Sequence, residues 1–269
     1  MRARIPLLMV LLLLSACNAN DDKSAFTTSA SAKEQSPAAG IWLGTDATSG
    51  QTVEGFIAEN GQAHFFRADG VQYVGTATVS GSALSMTLEG FVQFGTQFPD
   101  GSTTGAGTFS GTLASGASVS GVFEFTTTAG TSGASTWSLS FDSSYDMAGS
   151  LGAVAGNYSE LTGVISTGLD PLLGTSLTIA PGGQVFAQGS PTGCVLNGMI
   201  TNPTPGRNLY QVSYTLQSCT GTYAPLNGVA FTGFATLNTS AAFSELLVVA
   251  AGSSPSGQGF GILLALHSV

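Results

Sequence analysis

The chain reads as all-β: two small antiparallel β-barrel or sandwich domains behind a signal peptide and a flexible tether. Three observations predict this. Gly, Ser and Thr make up over a third of the 269 residues. That composition disfavours helices, because Gly costs about 1 kcal/mol at a helix position and Ser and Thr compete for backbone hydrogen bonds. Short runs alternate apolar and polar residues with a period of two, and turn signals separate them at intervals of about 8–12 residues. The apolar fraction of 43% is that of a globular chain, so the low charge content does not signal disorder.

The first element is a leader. Arg2 and Arg4 form a positive region, and Ile5 to Leu14 form an apolar run of ten residues. A helix of that length rises only about 15 Å, half of a bilayer core, so residues 1–16 are a secretory signal and not a membrane span. Leu14, Ser15, Ala16 and Cys17 then place an aliphatic residue and two small residues before a cysteine. This resembles the lipobox of bacterial lipoproteins. The resemblance implies diacylglycerol on the Cys17 thiol, cleavage before Cys17 and acylation of the new amino terminus. Asn18, where an Asp favours retention in the inner membrane, points with the resemblance to the outer membrane. The competing reading is a plain secretory signal with a chance cysteine. Two or three acyl chains, at about 0.8 kcal/mol per buried methylene, anchor a protein stably.

Residues 17–39 are polar, rich in Ser and Ala and without periodicity, and read as a tether of about 25 Å r.m.s. span. A first β domain is assigned to 40–150 and a second to 151–269. In the first, Val71–Val79, Ala83–Leu88, Val119–Phe125 and Thr136–Phe141 alternate, separated by turns at Glu59–Gly61, Ala68–Gly70 and Ser80–Gly81. In the second, Val212–Leu216 alternates and Pro181–Gly183 marks a turn. No amphipathic helix is expected after the leader. The halves echo one another. Gly40-Ile41-Trp42 corresponds to Gly156-Asn157-Tyr158, Phe56–Gln62 to Thr178–Gln184, and Gly107–Leu113 to Phe231–Leu237. One continuous barrel or sandwich is the alternative. Gly40-Ile41-Trp42 also resembles the opening Gly-x-Trp of lipocalin-like barrels, over three residues only. The Gly-rich strand texture is similar to that of small β-barrel surface lipoproteins.

Cys17 taken by lipid leaves Cys194 and Cys219, 25 positions apart. In an oxidising compartment they are read as a disulfide, worth about 3–4 kcal/mol on the loop-entropy model; two buried thiols are the alternative. A two-residue turn at Gly206-Arg207 would pair Pro205 with Asn208 and set Cys194 opposite Cys219. Pro203 and Pro205 argue against a clean ladder, since neither donates an N–H. A transmembrane barrel is disfavoured by strands shorter than about ten residues and by the absence of a terminal aromatic after His267.

Candidate chemistry is sparse. Six Lys and Arg against fifteen Asp and Glu give −9, the wrong sign for nucleic acid. Of the two histidines, His64 reads as a satisfied strand residue and His267 lies near the end. No Gly-x-Ser-x-Gly elbow is present, no ligand spacing for zinc, and no phosphate loop. Asp142 and Asp146 flank Ser143-Ser144-Tyr145 but lack a calcium loop and read as a solvated interdomain turn. Glu59, Asp69 and Asp100 sit beside turn glycines, where solubility explains them. The segment Phe91–Pro99 holds three aromatics between Gly and Pro residues; it reads either as a binding loop or as a core strand spoiled by a bulge.

The expectation is therefore a lipid-anchored outer-membrane protein without catalytic machinery, cofactor or metal. It would act as a binding module for a protein, glycan or small apolar ligand, and its membrane contact would be the lipid on Cys17. A periplasm-facing structural accessory of an envelope complex is the alternative, and a hydrolase built on carboxylates is the third possibility.

Overall fold

A computed structural model describes residues 36–160, 169–172, 174–189, 191–239, 244–254 and 257–269. Cys17 and all of the tether before Ser36 lie outside the described residues. Residues Glu34–Val269 form one compact unit.

The unit contains two closed barrels, each an antiparallel meander of eight strands. The first comprises β1 (Gly40–Asp46), β2 (Thr52–Ile57), β3 (Gln62–Arg67), β4 (Gln72–Ser80), β5 (Ala83–Phe91), β6 (Thr104–Ala114), β7 (Ser118–Thr127) and β8 (Ser132–Asp142). It closes where Trp42 on β1 lies opposite Phe141 on β8. The second comprises β9 (Gly156–Glu160), β10 (Ser176–Ile179), β11 (Gln184–Gln188), β12 (Val195–Thr201), β13 (Tyr210–Gln217), β14 (Ala230–Asn238), β15 (Glu245–Ser253) and β16 (Gly259–Ser268). Its closing pair joins β16 to β9 at Ser268 and Tyr158. Closure leaves neither sheet an open edge, and two separate closures replace the single-barrel and sandwich alternatives. The three internal echoes fall on corresponding strands: the first strand of each barrel, the second-to-third hairpin and the sixth strand.

Alternation sorts the first barrel cleanly. Leu84, Met86 and Leu88 face inward from β5 while Ser85 and Thr87 face outward. Glycines on the inner wall make room for rings. A Cβ on Gly55 would stand 1.9 Å from the Phe65 ring, and one on Gly107 2.6 Å from Phe123. The interior is consequently aromatic, with Trp42, Phe65, Phe109 and Trp137 all buried. The second barrel is filled by aliphatic side chains together with rings such as the stacked Tyr214 and Phe231. Leu177, Leu196, Val248 and Leu264 surround a residual void of about 20 Å³.

The barrels share a third cluster in which Ile41, Phe56 and Phe66 meet Leu209, Phe234, Val249 and Leu263. Tyr145 completes it. The segment read as a solvated turn is a 3₁₀ turn (Ser143–Asp146) followed by one short helix, α1 (Leu151–Val154). The Asp142 side chain accepts from Ser144 N at 2.8 Å. The Tyr145 hydroxyl donates to Glu59 Oε1 at 2.5 Å. Arg207 pairs with Asp146 and lies 5.2 Å over the Tyr145 ring. These are structural roles, and both aspartates are absorbed by them.

Cys194 and Cys219 are joined by a disulfide, but the expected register is corrected by one residue. Val195 pairs with Gln217 and Thr201 with Gln211. The hairpin opens after Thr201 and resumes at Tyr210, because Pro203 and Pro205 have no N–H for a ladder. Continuing this register would set Ser218 opposite Cys194. Ser218 instead adopts φ 58°, unique to it among the described non-glycine residues. That left-handed kink inserts the extra step that brings Cys219 to the bridge.

Candidate functional site

The two ends of the first barrel differ. At the end where β1 begins, residues 36–39 fold back and close it. Ala38 is fully buried, its carbonyl accepts from Trp42 Nε1 at 3.0 Å, and Ser115 Oγ donates to Pro37 O at 2.8 Å. The last four residues assigned to the tether are thus part of the barrel. At the end where β1 finishes, the inward positions turn polar. Asp46 closes β1 and Arg67 closes β3, both on the face that carries Trp42 and Phe65 further down. Tyr73 at the start of β4, Phe123, Phe125 and Thr127 on β7, and Ser135 on β8 continue the ring around a cavity of about 270 Å³.

Its floor is a stack of rings. Phe123 lies against Trp137 with centroids 4.4 Å apart, and Tyr73 meets Phe123 edge-on at 4.7 Å. Phe65 and Phe109 support Trp137 from below at 5.4 and 5.8 Å. The wall is completed by the β5–β6 loop, which brings Phe98 to 5.2 Å from Phe125. Asp100 ties that loop to the rim. It accepts from Ser102 Oγ at 2.5 Å and Ser102 N at 3.1 Å, and from Thr127 Oγ1. Those bonds hold its carboxyl well below the ordinary range, the Ser102 and Thr127 hydroxyls contributing most.

The charged pair in the cavity is balanced locally. Burial alone would push the Asp46 carboxyl up, but Ser49 N (3.0 Å) and Thr48 N (2.9 Å) donate to it, and with Ser135 and Arg67 they hold it below its usual value. Asp46 is 2% exposed. Arg67 Nε donates to Asp69 Oδ1 at 3.1 Å, and a second guanidinium nitrogen pairs with the same carboxylate. The remaining nitrogen, Nη1, stands 3.6 Å from Asp46 Oδ2, beyond a direct hydrogen bond.

The segment Phe91–Pro99 is neither a free binding loop nor a strand with a bulge. It divides its aromatics between the barrels. Phe94 leaves the first barrel and joins the core of the second, 5.1 Å edge-on from Phe260. Gly261 N donates to Val92 O at 2.8 Å and Phe94 N to Gly261 O at 3.2 Å, fixing the crossing. Phe98 stays behind at the mouth.

His64 is fully buried at the junction of the barrels, its Nε2 2.8 Å from Gln72 Oε1. Burial lowers its pKa to about 4 against the opposing effect of the Gln72 bond, so the ring is neutral. His267 lies on β16, at the far end of the chain. Among the described residues no three His, Cys, Asp or Glu side chains are grouped to hold a metal, and no helix is long and apolar enough to cross a membrane. The mouth is not legible in the sequence, because its aromatics alternate along their strands just as core residues do. The available signal was Asp46 and Arg67, charged residues at inward positions of their strands. No protein-family model matches the chain, and no curated protein matches it.

Proposed function

We propose that this protein is a lipid-anchored binding module of the outer membrane, held by Cys17, whose recognition site is the aromatic mouth of the first barrel. The observation that carries the reading is the polarity of that barrel. The chain enters through residues 36–39 at the closed end. The mouth lies at the opposite end of β1, about 20 Å away along a seven-residue strand. An anchor upstream of Ser36 therefore joins the barrel at the end away from the mouth, and a flexible tether leaves the mouth free to face outward. Polar groups converging on an apolar concavity are the usual form of a small-ligand site. The second barrel, with its filled interior, acts as a support. A filled barrel also favours the second reading, an accessory of an envelope complex on the periplasmic side.

Two measurements on cells test this. Cys17→Ser is expected to move the protein from the membrane to the soluble fraction. Protease treatment of intact cells is expected to cut the wild type while sparing a periplasmic control. Membrane retention of the variant removes the anchor; protection of the wild type transfers the weight to the periplasmic accessory.

A further inference from the structure

We infer that the mouth of the first barrel takes a single neutral sugar ring, the exposed end of a glycan; this rests on the mouth being the binding site. Three features select the class. The first is depth. Trp42, Phe65, Phe109 and Trp137 are all buried beneath the cavity, so there is no channel for an acyl chain. Its volume of about 270 Å³ lies just below the range of about 300–1,000 Å³ typical of drug-sized ligands, which suits one ring.

The second is the 3.6 Å gap between Arg67 Nη1 and Asp46 Oδ2. A hydroxyl is the group that donates to a carboxylate and accepts from a guanidinium at once, so a sugar hydroxyl completes a pair that does not meet directly. Asp46 is held in place for this by the N–H groups of Thr48 and Ser49. Hydrogen bonds of this charge-assisted kind are the strong ones. Phe98 and Phe125, which line the same cavity, are only half-buried and supply apolar surface for the C–H side of a pyranose. An apolar ring would use the aromatics and leave the gap between Asp46 Oδ2 and Arg67 Nη1 unbridged.

The third is charge. Asp46 and Asp69 both face one cation, Arg67, and Asp100 adds a third carboxylate at the Thr127 rim. The excess of carboxylate opposes an acidic sugar, and Arg67 on the wall opposes a cationic ligand.

The test is saturation-transfer NMR on the purified full-length protein. The probes are methyl glycosides of glucose, galactose and mannose, with cyclohexylmethanol and glucuronate as comparisons. At least one neutral glycoside is expected to bind saturably, with glucuronate weaker. Phe98→Ala and Asp46→Asn are each expected to weaken it about tenfold, the effect of about 1.4 kcal/mol. If Asp46→Asn does not fold, Phe98→Ala on the exposed loop carries the test alone. Cyclohexylmethanol binding as tightly as the glycosides, and losing affinity in Phe98→Ala, overturns the sugar class while leaving the mouth as a ligand site. Binding by none of the probes overturns both. Glycoside binding that is indifferent to Phe98 places the sugar elsewhere and also overturns the inference.

Discussion

Two side chains on the faces where the barrels meet, half-buried Glu54 and fully buried His64, titrate in opposite directions. Glu54, on the outer face of β2, is pushed from 4.5 up to about 7 by burial and by the nearby Asp142 and Glu245 carboxylates. A raised acid stabilises the fold fully below its unfolded value near 4.5, and that contribution is lost as pH rises through about 7. His64 is lowered from 6.5 to about 4 by burial. A depressed base contributes fully above 6.5 and loses that contribution as pH falls through about 4. Over pH 4.5–6.5 the two slopes nearly cancel, so these groups leave the wild type flat. Glu54→Gln is expected to expose the histidine's slope, stability rising with pH by up to about 1.4 kcal/mol per unit. His64→Gln is expected to show the reverse. Denaturant melts of both variants across this window check it, and curves parallel to the wild type would contradict it.

Among elements, the β5–β6 loop and the β12–β13 hairpin carry the most information. The loop works as a clasp: Phe94 is buried in the second barrel's core while Phe98 and Asp100 hold the first barrel's rim. Phe94→Ala is expected to cost about 3–5 kcal/mol, the range for deleting a buried ring, and chemical denaturation measures it. A loss below about 1 kcal/mol would mean the clasp bears no load. In the hairpin, the disulfide closes a 25-residue separation, and reduction is expected to cost about 3 kcal/mol on the loop-entropy model. Hydrogen exchange localises the effect: amides of β12 and β13 are expected to lose protection before those of β5 and β6.

At the scale of the molecule, one meander appears twice with two different interiors. The first barrel is packed with rings seated on glycines and stays open at one end. The second is filled by aliphatic and aromatic side chains together and keeps only a small void. The strands that pack the barrels together had left a mark in the sequence. Ala63-His64-Phe65-Phe66 on β3 and Leu246 to Ala251 on β15 break alternation, since they bury both faces. A continuous apolar run among alternating strands identifies a contact face, and these runs are where the barrels meet.

Composition and the period-two pattern by themselves determined strands and turns, short matching segments gave the two-fold repetition, and the pairing of Cys194 with Cys219 followed only once Cys17 was assigned to lipid. These are local or near-local properties: alternation decides which side chains share a face, and Gly and Pro decide where a strand can end. The proposed leader and the proposed lipidation of Cys17 likewise rest on consecutive residues. Only the tertiary structure decided the rest. Whether the sixteen described strands close as one barrel or two depends on pairing between residues about a hundred positions apart, such as Trp42 with Phe141. Whether an inward aromatic fills a core or lines a mouth depends on what lies above it in the barrel. Asp46 and Arg67 belong to the candidate site because the ends of five strands converge there with the clasp loop, and no spacing along the chain encodes that convergence.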